Sequence, residues 1–203
     1  MSGDPAQSSP DPRLRLMTLA MAGVAVLIAG IQPAVFSLLS PEAQPWNLSI
    51  IGAIGLFAAA RLGFWQAVGF TGLAIGFKDV NMYLIHGWQP SPLSWPYFIF
   101  YAAIGWAFLR RTRSPVQIGT VALSGSLFFF LVSNFACWLQ PSLGYERSLE
   151  GLGKCYVAAV PFFRGTILGD LAFTGVLFGA YAILSRVYLP TGQTIGIETE
   201  EQR

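Results

Sequence analysis

The chain has 203 residues, of which 54% are hydrophobic and only 11% charged, with a net charge of +2 and a mean hydropathy of +0.55. That balance excludes a basic nucleic-acid face and points to a polytopic membrane protein, with uncharged runs that approach the length of a bilayer crossing.

Residues 1–13, rich in Ser, Pro and Asp, read as a disordered cytoplasmic tail that buries no apolar area. The first predicted span runs from Leu16 to Ile31, preceded by Arg13 and Arg15. A cleaved signal peptide is the alternative for this run, but no small-x-small site follows it. The second and third spans, Leu48 to Ala60 and Leu62 to Phe77, are separated by Arg61, whose stem could snorkel to the surface. Thirteen helical residues reach only about 20 Å of a ~30 Å core, so the second span is the short one. Trp46 and Asn47 enter it, Lys78, Asp79 and Asn81 leave the third, and His86 is expected in a loop.

The fourth span is Trp95 to Leu109, followed by the cluster Arg110, Arg111 and Arg113. The fifth, Val116 to Leu139, carries Asn134 near its far end, and the sixth, Val157 to Ser185, carries Arg164 and Asp170. Arg186 and a polar cytoplasmic tail, residues 189–203, follow. The domain reading is therefore a six-span transmembrane unit, residues 14–188, between two tails.

Positive-inside bias decides the parity of the crossings. If Arg13/Arg15 and the Arg110 cluster are both cytoplasmic, an even number of spans separates them, which requires Leu48 to Phe77 to be two spans. The fold class expected is an all-α membrane helix bundle with about six transmembrane helices and both termini inside. Lys78, Arg147 and Lys154 then lie outside.

On that topology Trp46, Asn47, Asp79, Asn134, Arg164 and Asp170 all fall in the outer half, where a few polar groups in an apolar concavity could orient a small solute. A plain interfacial role is the alternative for Trp46, Lys78 and Asn81. An ionised group inside the bilayer costs about 2.5–3.5 kcal/mol on insertion scales, which makes Arg164 and Asp170 the most informative residues. They are six apart, so their directions on a helix differ by roughly 120° and each should meet another helix. Lys78 is the candidate counter-charge for Asp170, and Asp79 for Arg164.

Small residues recur four apart at Ala25/Ala29, Gly55/Ala59, Gly72/Gly76 and Ala103/Ala107, which lets helices approach closely within the chain or offers a docking surface to another membrane subunit. Cys137 and Cys155 fall near the outer ends of the last two spans, either as small buried apolar residues or as a disulfide. No metal spacing, phosphate loop, H-E-x-x-H or G-x-S-x-G motif is present, so neither enzyme nor resident cofactor is expected.

The segments Pro45 to Phe57, Ser133-Asn134-Phe135 with Trp138, Cys155 to Thr166, Gly169-Asp170-Leu171 and Leu177-Phe178-Gly179 resemble a bacterial family of uncharacterised integral membrane proteins assigned to transport. The likeness covers most of Pro45 to Ser185, with Trp46 where members often carry proline and Gly165 where they often carry Asn. That family is similar, more loosely, to the substrate-binding S components of energy-coupling-factor (ECF) importers. The resemblance implies a six-helix capture subunit without its own ATPase, working with a T component and two cytoplasmic ATPases, and docking through small residues of the first helix, here Ala25 and Ala29. Trp46 would then offer a stacking face, Asn47 and Asn134 hydrogen bonds, and Arg164 and Asp170 complementary charge. A non-transport membrane scaffold or assembly factor is the competing reading.

Overall fold

A computed structural model describes residues 11–39, 47–90 and 94–188; Trp46, Pro45 and both outer tails, residues 1–10 and 189–203, lie outside them. The described residues form six α-helices and no strand: α1 Pro12–Phe36, α2 Ile51–Arg61, α3 Phe64–His86, α4 Ser94–Phe108, α5 Pro115–Trp138 and α6 Leu149–Tyr188. The all-helical class expected from composition is the class observed. Local chemistry sets several ends. Asp11 accepts from the Arg13 backbone N–H at 2.8 Å with Pro12 in the first turn, and Ser114 caps α5 ahead of Pro115. Gly87, at φ 68, closes α3 in the left-handed conformation that glycine tolerates.

The break at Arg61 is real: α2 ends there, and Gly63, at φ 125, turns the chain into α3. Three elements are longer than their apolar runs. α1 starts inside the expected tail, at Pro12, and continues to Phe36; α3 continues past Phe77 to His86; and α6 begins at Leu149. Lys78, Asp79, Asn81 and His86 are thus helical, because a helix that projects from the apolar zone can carry polar residues at its end without breaking. Among the described residues, three helices are long and apolar enough to cross a membrane: α1, α5 and the Leu149–Val187 part of α6.

Side-chain contacts fix the helix directions. Asp170 lies beside Gly52 and the Phe178 ring meets Phe57 at 5.4 Å, so α6 runs parallel to α2. α4 does likewise, with Tyr101 against Gly52 and Gly105 against Leu56. α5 is antiparallel to both neighbours, since Phe128 stacks on Phe100 at 3.6 Å while Gln117 donates to the Phe108 carbonyl, and Phe130 stacks on Phe163 at 4.4 Å while Ser126 bonds Asp170. α1 lies along α3, with Gly30 against Phe77. The ends of α2, α4 and α6 consequently meet the starts of α3 and α5, and Arg61, Arg110, Arg111, Arg113 and Arg186 gather there.

The sequence reading made Leu48 to Ala60 a short crossing; in the structure α2 is the centre of the bundle. Its 11 residues span about 16 Å, and every residue from Ile51 to Ala60 is buried. A helix apolar on all sides is stable only when surrounded, and here α1, α3, α4, α5 and α6 all pack on it. Small residues close the α2–α4 crossing: a Cβ on Gly105 would stand 2.8 Å from the Leu56 backbone. Ala25 and Ala29, expected to dock a partner, are each 1% exposed in the chain's own core together with Ala74 and Ile75 of α3. In the described residues this small-residue face is spent on internal packing.

Candidate functional site

On α6 the residues Thr166, Asp170, Thr174 and Phe178 recur every four positions, share one face and are all buried. Asp170, 3% exposed, is the ionisable member. Its Oδ2 accepts two short bonds, from the Tyr101 hydroxyl of α4 and the Ser126 hydroxyl of α5, both 2.6 Å. Ser126 Oγ also lies 3.2 Å from the Ala122 carbonyl, but a hydroxyl has one proton, and the shorter contact to a carboxylate takes it. Oδ1 faces the first turn of α2, where a Cβ on Gly52 would collide with it. The N-terminal end of a helix favours negative charge, so one carboxyl group ties together α2, α4, α5 and α6.

The approach to α2 threads between two other helices. Gln32 of α1 donates to the Leu48 carbonyl at 3.0 Å, and a Cβ on Gly169 of α6 would sit 2.9 Å from the Ser49 backbone nitrogen. Ser49 Oγ accepts from the Ile51 N–H at 3.2 Å. Asn47, which opens this segment, has φ 58, a conformation asparagine enters more readily than other side-chain-bearing residues.

One helical turn from Asp170, on the side away from the arginines, lies a hollow of about 220 Å³ between α5 and α6. Asn47, Phe129, Phe130, Ser133, Asn134, Cys137, Ala159, Phe162, Phe163 and Thr166 line it. Asn134 Nδ2 donates to the Phe130 carbonyl at 2.7 Å, and its own carbonyl receives the Cys155 thiol at 3.4 Å. The wall carries four phenylalanine rings, with two amides, two hydroxyls and the Cys137 thiol as polar points.

Of the residues expected at a site, Asn47 and Asn134 meet at this hollow, and Asp170 lies below it as an enclosed group. Arg164 is exposed and absent from the lining, two residues along α6 from Phe162 and Thr166 and so on the opposite side of the helix. Asp79 pairs with its neighbour Lys78 at 3.1 Å. Neither expected charge pairing forms: Asp170 is matched by hydroxyls, and Lys78 and Asp79 by each other. Trp46 lies outside the described residues. Both cysteines are free thiols, Cys155 buried and Cys137 partly buried on the hollow. Sequence reading missed Tyr101 and Ser126, whose only signal was a hydroxyl beside small residues, Ala102 and Gly125, in each apolar run.

At the opposite end Arg61 does more than snorkel. Its guanidinium lies 5.2 Å from the Phe178 ring and 4.9 Å from Tyr181, and donates to the Thr112 carbonyl at 3.4 Å. It ties the end of α2 to α6 and to the α4–α5 turn. Arg61→Gln is expected to destabilise the bundle by about 1–2 kcal/mol, since partly desolvated cation–π contacts carry energies of that order. Thermal unfolding in detergent measures this, and Arg61→Lys should recover less than half the loss.

No curated protein and no solved structure matches the chain. Residues 11–193 match one family along nearly the whole sequence, and the chain belongs to it: DUF6580, a family of unknown function.

Proposed function

We propose that the chain is a multi-pass protein of the bacterial inner membrane that captures a small solute from the outer face, as the S-component-like subunit of an importer energised by a separate ATPase. The observation that carries this reading is the hollow between α5 and α6, where Asn47 and Asn134 converge among aromatic faces. Apolar concavities with a few placed polar groups are the usual form of a small-molecule site. The alternating directions of the six helices, with Arg61, Arg110, Arg111, Arg113 and Arg186 gathered at one end, support six crossings with both termini on the cytoplasmic side in this reading. The hollow then opens toward the outside. α2 is too short to cross lipid alone, but its surroundings are protein, where a short helix and its irregular approach are tolerated. A T component and ATPase subunits are the partners of this reading, and the chain itself performs no catalysis.

The scaffold reading also has an observation in its favour: Asp170 has internal partners, as a purely structural charge would. Native mass spectrometry of the purified protein separates the two. A co-purified small molecule, lost in Asn134→Ala with the fold retained, is expected for a capture subunit; an empty protein bound stoichiometrically to an unrelated membrane enzyme would favour the scaffold.

Topology has its own test. With Cys137 and Cys155 replaced by alanine, a cysteine at Ser142 should be labelled in intact cells by an impermeant maleimide, and one at Thr112 only after the membrane is opened. The reverse pattern would sink the orientation.

A further inference from the structure

Among the described residues, the carboxylates, ammonium groups and guanidinium groups near the hollow are matched or turned elsewhere. Asp170, one turn below Thr166, holds two hydroxyl bonds, and Lys78 and Asp79 pair on α3. Lys154 pairs with Glu150 at 2.8 Å near the start of α6. Arg147 lies over the Trp138 ring and donates to the Leu139 carbonyl, while Arg164 is on the exposed side of α6. The described lining holds no carboxylate, ammonium or guanidinium. An ion entering it would shed water without meeting a counter-charge, which is the costly way to bury charge.

What the lining does offer suits a ring. The stacked pair Phe130 and Phe163 presents flat apolar surface, the amides of Asn47 and Asn134 can donate or accept, and the Thr166 hydroxyl, which donates to the Phe162 carbonyl at 3.4 Å, can accept. At ~30 Å³ per water in the liquid, the volume equals about seven waters, enough for one or two fused rings. We infer that the hollow selects an uncharged, ring-sized, hydrogen-bonding solute and rejects both anions and cations. This rests on reading the hollow as a solute site, and it replaces the charge complementarity that Arg164 and Asp170 suggested in the sequence.

Cys137, a free thiol in the lining, reports the preference directly. Detergent-purified wild-type protein is treated with three methanethiosulfonates of similar size: propyl, which is neutral, sulfonatoethyl, an anion, and trimethylammonioethyl, a cation. The rate at Cys137 is read by peptide mapping, which separates it from Cys155 without any substitution, and is divided by each reagent's rate with 2-mercaptoethanol. The neutral reagent is expected to exceed both ions at least tenfold; either ion reacting within tenfold of it overturns the inference. Native mass spectrometry keeps the two readings distinguishable. A co-purified ion would also overturn the neutral-solute inference, whereas an empty protein that keeps the tenfold preference would sink solute capture and leave the hollow's charge preference standing.

Discussion

Asp170→Ala is expected to cost about 3–5 kcal/mol of stability and to be among the most damaging single changes in the chain. The carboxylate accepts from Tyr101 and Ser126, both buried, and removing it leaves the Tyr101 hydroxyl without its partner and Ser126 with the Ala122 carbonyl at 3.2 Å. The stranded Tyr101 hydroxyl costs roughly 1–3 kcal/mol, the exchange of a charge-assisted bond for a neutral one at Ser126 about 1 kcal/mol, and the missing side-chain volume adds to that. Asp170→Asn keeps the shape and one carbonyl acceptor, so about half the loss should return. Tyr101→Phe in the Asp170→Asn background should then cost less than Tyr101→Phe alone, because the two groups share one interaction. Equilibrium unfolding in mixed micelles measures all four proteins; additive losses would mean that Tyr101 and Asp170 are not energetically joined.

The second large effect is expected at Gly105. Any Cβ there stands 2.8 Å from both the Cα and the carbonyl oxygen of Leu56, and backbone cannot step aside as a side chain can. Gly105→Val should push α4 away from the central helix and cost about 3 kcal/mol or more, at the upper end of overpacking penalties. Gly76→Ala is the matched control. No atom lies within 4 Å of a Cβ at that helical position, so the change should be neutral or stabilise by up to ~1 kcal/mol. Loss of monodisperse protein for Gly105→Val but not for Gly76→Ala would locate the tight crossing; equal tolerance of both would refute it.

Much of the fold was legible because it rests on lengths and punctuation. The all-helical class follows from the apolar runs, and the break between α2 and α3 from Arg61 and the parity of crossings between the arginine clusters. Asp170 drew attention because a charge in an apolar run is costly, and Asn47 and Asn134 because they fell with other polar groups in the outer half of the expected topology. What stayed hidden is rotation about each helix axis. In a bundle surrounded by lipid the outward side chains are as apolar as the inward ones, so the pattern does not say which way a helix faces. Arg164 and Asp170, six residues apart, could not share a direction, and the sequence did not say which one turned inward. The same ambiguity concealed Tyr101 and Ser126, and let Ala25 and Ala29 read as an open surface. The centrality of α2 was hidden for a different reason: the apolar run from Ile51 to Ala60 looks alike as a short crossing and as a core.

The carboxylate at the heart of the bundle comes from the last helix to be synthesised, while the groups it receives come from α4 and α5. While the ribosome is still short of residue 170, the nascent protein holds two interior hydroxyls and a central half-length helix that its neighbours cannot yet enclose. A product ending before residue 170 would lack the one carboxylate that joins α2, α4, α5 and α6, so closure of the bundle waits for α6.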